Sequence, residues 1–248
     1  MRLCGARALG ILLGTASCAG ARPPPALAPE ITGAEWTIAR SHLASMRASQ
    51  KSRPYVVQIR VGMREPRTGK TFEARGALAV EPHAAMRMIL VGPAGHTALD
   101  VWVTREKWRF VVPGVNFTRT GGNDSASSRG LPINFFRWWF LAPLEGRLLS
   151  ASVGQAGQTF LLRDATGTAV VRASQDKGLT HLVLVRREAG AVQSMEWRGK
   201  DLAPHAGDHA RYMEEGSGLQ VNVLVEAVST EEPDPAAFLD PDDPGVAL

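Results

Sequence analysis

Cysteine is nearly absent from this chain. Of 248 residues only Cys4 and Cys18 carry a thiol, and both lie at the N-terminal end. The remainder can form no internal disulfide, so its stability has to come from burial. No apolar run approaches the ~20 residues that cross a bilayer as a helix. Charge of one sign is lacking too. There are 28 Lys and Arg against 24 Asp and Glu, and setting aside Arg2 and Arg7 leaves 26 basic residues. That margin, without a basic stripe interleaved with aromatics, excludes the electrostatic footprint of a nucleic-acid binder.

Catalytic signatures are missing as well. There is no G-x-S-x-G and no H-E-x-x-H. Gly69-Lys70-Thr71 imitates the end of a phosphate loop, but Arg64 stands where that loop needs glycine, and a strand pattern follows. Ser174 and Lys177 have S-x-x-K spacing at a strand end, with no partner motif. His205 and His209 are four apart, yet Pro204 and Gly207 make their segment a loop and not a ligating helix. The acidic run 231–243 lacks the spaced ligands and turn glycine of a calcium loop. The sequence therefore predicts no catalytic residue, no metal site and no cofactor: a protein that is not an enzyme.

What is present begins with an address. Arg2 and Arg7 precede the short apolar run Ala8-Leu9-Gly10-Ile11-Leu12-Leu13-Gly14, and Thr15-Ala16-Ser17 leads into Cys18. This is the layout of a signal peptide over residues 1–17. Small residues before a cysteine resemble the lipobox of bacterial lipoproteins, with Thr15 where Leu is usual. The resemblance implies lipid attachment (diacylglycerol and palmitate-type acyl chains) at Cys18. Ala19 in place of Asp implies onward transport to the periplasmic face of the outer membrane. Cleavage near Ala19-Gly20-Ala21, leaving a soluble periplasmic protein, is the alternative. Residues 18–30 are Pro- and Ala-rich and read as a tether.

Beyond the tether, Trp36, Ala39, Leu43 and Met46 recur at helical spacing over 33–50, with Thr32 as a candidate cap. From Tyr55 the period switches to two. Five alternating runs follow to residue 112, then a Gly/Ser-rich loop over 120–131, a short aromatic helix between Pro132 and Pro143, and further strands over 147–229. Short turns between the runs favour antiparallel hairpins. The expected fold is mainly β with few helices: a single curved antiparallel sheet, an unclosed half-barrel of about 11 strands, with helices in its concave face. One domain over 31–230 is expected, followed by an acidic, Pro-rich, disordered tail over 231–248.

The series Gly76-Ala77-Leu78-Ala79-Val80, Met86-Arg87-Met88-Ile89-Leu90-Val91-Gly92, Ala98-Leu99-Asp100-Val101 and the run 108–113 resembles the strands of the LolA/LolB-like lipoprotein-carrier superfamily. Gly130-Leu131-Pro132 with Phe135-Phe136-Arg137-Trp138-Trp139 is similar to a segment of uncharacterised outer-membrane lipoproteins. The resemblance implies the half-barrel fold. It assigns no cargo-contacting residue.

Five of the seven residues at 135–141 are Phe or Trp, in a chain with 6% aromatics. Phe135, Phe136, Trp138, Trp139 and Phe140 are thus a candidate plug of the hollow, a mobile lid over it, or an interfacial anchor with Arg137 snorkelling. Candidate lining residues of the hollow are Tyr55, Val57, Ile59, Phe72, Leu78, Met86, Met88, Leu90, Val101, Trp108 and Phe110. They form either a packed core or a pocket for acyl chains. The leading functional expectation is non-catalytic binding of acyl chains, lipid or lipoprotein by a protein held to the membrane by its N-terminal lipid. The alternative is an interaction module with a permanently filled hollow that docks an envelope protein.

Overall fold

The computed structural model describes residues 33–242, apart from 65, 67, 124–126, 155–156, 189 and 230. The signal, Cys18, Thr32 and the tether lie outside the described residues.

Helix α1 (Gly33–Ala48) turns Ala39, Leu43 and Met46 inward, the face that the sequence spacing predicts. Six strands follow: β1 (Tyr55–Arg64), β2 (Thr71–Glu81), β3 (Ala85–Val91), β4 (Thr97–Thr104), β5 (Trp108–Val112) and β6 (Phe117–Gly121). The aromatic segment interrupts them as one α-helical turn, α2 (Ile133–Phe136), continuing into a π turn (Arg137–Leu141). Seven strands complete the sheet: β7 (Arg147–Gly154), β8 (Gly157–Arg163), β9 (Thr168–Asp176), β10 (Leu179–Glu188), β11 (Ala191–Gly199), β12 (His209–Glu214) and β13 (Gln220–Ser229).

All thirteen strands form one unclosed antiparallel sheet in the order β6-β5-β4-β3-β2-β1-β13-β12-β11-β10-β9-β8-β7. It is the expected curved half-barrel, with thirteen strands where the pattern indicated about eleven. Strand β6 escapes the pattern because its residues are exposed or half-buried, leaving no apolar alternation, and Thr120 and Gly121 belong to it instead of to a loop. Two meanders meet where β1 pairs with β13, from Val56 opposite Ser229 to Arg64 opposite Gln220. Connection 122–146 joins β6, at one edge, to β7, at the other. It is a strap between the two margins, and its apolar part lies in the hollow.

The strand alternation sets the core. Val57 and Ile59 of β1, Leu78 of β2, Met86 and Met88 of β3 and Val101 of β4 all have exposures of 1% or less. They form one cluster with inward residues of β8–β13, α1 and the strap. Gly76 of β2 is needed for close approach. A Cβ there would lie 1.9 Å from the Ile89 carbonyl oxygen of β3, so the strands could not stay in register with a larger residue.

One expectation is corrected. Residues 231–242 are not a disordered tail. They carry a 3-10 turn (Pro235–Phe238) whose Phe238 is buried. Trp102 Nε1 donates to the Phe238 carbonyl at 3.0 Å, and Arg109 pairs with Asp242 at 3.0 Å. Trp102 alternates with the inward Val101 and Val103, so this segment covers the outer face of the first meander. One buried aromatic outweighs the disordering composition around it. Residues 243–248 lie outside the described residues.

Candidate functional site

The strap dominates the concave face. Phe135 and Phe136 are fully buried, and Trp139 and Phe140 nearly so. Trp138 is half-buried against the same cluster. Phe135 stacks on Tyr212 of β12 with centroids 5.4 Å apart, and Trp139 stacks on Phe140 at 4.7 Å. A regular helix could not turn five rings onto one surface. The π turn, closed by the Ala142 N–H donating to the Arg137 carbonyl at 2.8 Å, widens the cylinder and lets the rings point into the sheet and along it.

Polar contacts anchor the strap at three places. Near its start, the Gly130 N–H donates to Glu214 Oε2 at 2.7 Å, and Ser217 holds the same carboxylate. Gln193 links Glu214 to Asn134 of α2 through bonds of 3.3 Å. In the middle, Arg137 Nε donates to the Thr104 carbonyl of β4 at 3.1 Å. At the exit, Arg47 of α1 donates to the carbonyls of Leu144 and Gly146. These contacts fix the path of the strap across the hollow.

Two spaces remain beside it. The first is an apolar groove of about 350 Å3 at the end of the hollow where β1 runs into β2, walled by Met63, Phe72, Leu99, Phe110, Val112 and Leu219. Of the eleven sequence-predicted lining residues, ten are buried in the core. Phe72 is not. It stays 37% exposed because it lies opposite Met63 near the strand end, where the groove is open. Phe72 and Phe110 alone of that set reach the groove.

The second space is a cleft of about 380 Å3 on the opposite flank, walled by Arg137, Trp138, Leu162, Asp164, Leu184 and Arg186 among others. Arg186 is buried, pairs with Asp164 at 2.6 Å and Glu188 at 3.3 Å, and lies 5.5 Å from the Trp138 ring. Burial pushes the Asp164 carboxyl up. The Arg186 hydrogen bond and charge, with the N–H groups of Thr166 and Gly167, outweigh it and bring the value down to about 2. Burial lowers the Arg137 guanidinium to about 10, opposed by Glu188. The sequence reading missed Asp164, Arg186, Gln193 and Glu214. The signal was the period itself: Arg186 follows Leu182 and Leu184, and Glu214 follows Ala210 and Tyr212, all on the inward side.

Among the described residues no group of three or more His, Asp or Glu is placed to hold a metal ion. His205 bonds Asp201 at 3.1 Å in a loop, whereas His209 begins β12. No helix among them is long and apolar enough to cross a membrane.

Trp139→Ala is expected to lower unfolding free energy by about 3–5 kcal/mol, read by chemical denaturation. A loss below ~1 kcal/mol would show that the ring is not buried as described. Because the Asp164 pKa is depressed, its stabilising effect is present above pH 4 and fades as pH falls toward about 2. Thermal melts of Asp164→Asn should therefore be less acid-sensitive than those of the parent in that window.

No protein-family model and no curated protein matches the sequence. Among solved structures, a DUF1329 family protein from Desulfovibrio piger is similar at 10% identity and TM-score 0.47, over 82% of this chain and 96% of that one. A LolA superfamily protein from Nitrosomonas europaea is similar at 10% identity and TM-score 0.44, over 82% of this chain and 97% of that one. The chain is similar in structure to a DUF1329 protein and to a LolA-superfamily protein.

Proposed function

We propose that this is a non-catalytic, lipid-anchored lipoprotein of the bacterial envelope that binds an acyl chain, from a lipid or an acylated protein, at the open end of its hollow. One observation carries the reading. The strap fills much of the concave face with buried rings, and at the groove Met63, Phe72, Leu99, Phe110, Val112 and Leu219 leave an apolar wall open. A groove with so few polar groups suits a flexible hydrocarbon chain, and Met63 adapts to it without strain. The strap then acts as a fixed floor instead of a mobile gate. The leader and Cys18 supply the reading of the anchor, which puts the domain at the periplasmic face of the outer membrane.

A second reading, an interaction module for an envelope protein, draws on the nearly complete burial of the strap aromatics. The two readings separate by native mass spectrometry of the exported protein followed by lipid extraction. Co-purifying acyl lipid or acylated peptide supports acyl binding. A ligand-free mass, with no uptake of an added fluorescent fatty acid, supports the interaction module.

Phe72→Asp should weaken fatty-acid probe binding at least ~10-fold, since a charge would replace apolar surface worth about 1.5–3 kcal/mol. The melting temperature should change little, because Phe72 is partly exposed already. Unchanged affinity would remove the groove from consideration. Cys18→Ala should move the protein from the membrane fraction to the soluble periplasm, and retention at the membrane would sink the anchor.

A further inference from the structure

The cleft on the other flank of the strap differs from the acyl groove in chemistry. Its wall includes Arg137, which is 6% exposed. Burying a guanidinium is costly unless its donors are used and its charge is balanced. Arg137 uses Nε on the Thr104 carbonyl and Nη1 on Asn123 Oδ1 at 2.8 Å. Its Nη2 is buried with no acceptor among the described residues. No carboxylate among them lies within ion-pair distance of it, whereas neighbouring Arg186 has both Asp164 and Glu188.

The charges of the cleft narrow the missing acceptor. Arg137 and Arg186 are matched in number by Asp164 and Glu188; at the rim Arg105 pairs with Glu145, and Glu106 adds a further carboxylate. A further anion would leave the inner cluster with an excess negative charge in a poorly hydrated place. An uncharged oxygen would use the spare donor without disturbing that balance. Beside the donor, the Trp138 ring and the side chains of Leu162 and Leu184 form an apolar wall. The volume of about 380 Å3 is at the small end of the range for organic-ligand pockets.

We propose that this cleft is a binding site for a small uncharged carbonyl compound, an ester or amide with a short apolar body, whose oxygen accepts from Arg137 while its chain lies on Trp138. The site is separate from the groove and does not depend on the acyl-binding reading. Its location on a π turn fits the frequent use of such turns at functional sites.

The test is calorimetric titration of the purified protein with ethyl hexanoate, hexanoate and hexanol, which share a chain but differ in head. Ethyl hexanoate is expected to bind at least ~10-fold more tightly than either of the others, and Arg137→Gln to remove at least that factor. Equal or tighter binding of hexanoate or of hexanol overturns the neutral-carbonyl assignment, and no binding of the ester overturns the site. If Arg137→Gln does not fold, Trp138→Ala tests the same wall, because its ring is half-buried. Loss of ester affinity there supports the site, and full retention overturns it. Phe72→Asp separates the two spaces. Ester binding lost in Phe72→Asp but kept in Arg137→Gln places the ligand in the groove, which overturns this inference and leaves the proposed function standing.

Discussion

The ladder between β1 and β13 is the constraint on which the architecture depends. Every other ladder among the described residues joins strands adjacent in sequence. Each meander could form from local hairpins alone, but only this pairing makes them one sheet. Once they are joined, the two margins face each other across the hollow, at a separation set by the number and curvature of the strands. The strap between β6 and β7 has to cross that interval. Its aromatic sequence follows from the position: a chain crossing the concave face of a sheet meets apolar side chains and must present the same to them.

The strap needs polar anchors as well as rings, because its backbone leaves the ladder and its carbonyls and N–H groups require partners where water is scarce. The solution comes from several elements. Glu214 of β12 accepts from the Gly130 N–H at the start and Arg47 of α1 donates to carbonyls at the exit, while in the middle the Arg137 side chain ties the strap to the Thr104 carbonyl of β4. Helix α1 is thus a clamp on the strap as well as a cover for the second meander, where His42 also bonds Gln158 of β8. The two spaces lie on either side of the strap, the groove walled mainly by the sheet and the cleft by Arg137 and Trp138 of the strap itself. One inherits the apolar character of the sheet, and the other the charged anchors.

Much of the fold is legible in the sequence because alternation of period two survives in nearly every strand, with Val57, Ile59, Met86, Met88 and Val101 standing inward as the pattern requires. Strand β6 is not legible, since at a sheet margin a strand can pair through its backbone without burying a face. Phe238 is hidden for the opposite reason. The short apolar group 236–239 among prolines and acids carries no period, yet Trp102 offers Phe238 a partner. At the candidate site the rings announce themselves by density, but the anchors do not. Gln193 and Glu214 look like ordinary strand polars until their inward parity is noticed. Phe72 has inward parity and remains exposed, because parity gives the face and not the distance to the strand end.

Placing the two partners of that central ladder in the first and last strands of the described sheet has a consequence during synthesis. A polypeptide that emerges N-terminus first presents β1 early, with β2 on one side and an open row of N–H and C=O groups on the other. Its second neighbour, residues 220–229, is the last strand to arrive. For most of the time the chain is being delivered, the middle of the future sheet is an adhesive edge. The nascent protein is therefore most vulnerable to mispairing along the line that is best protected once it has folded.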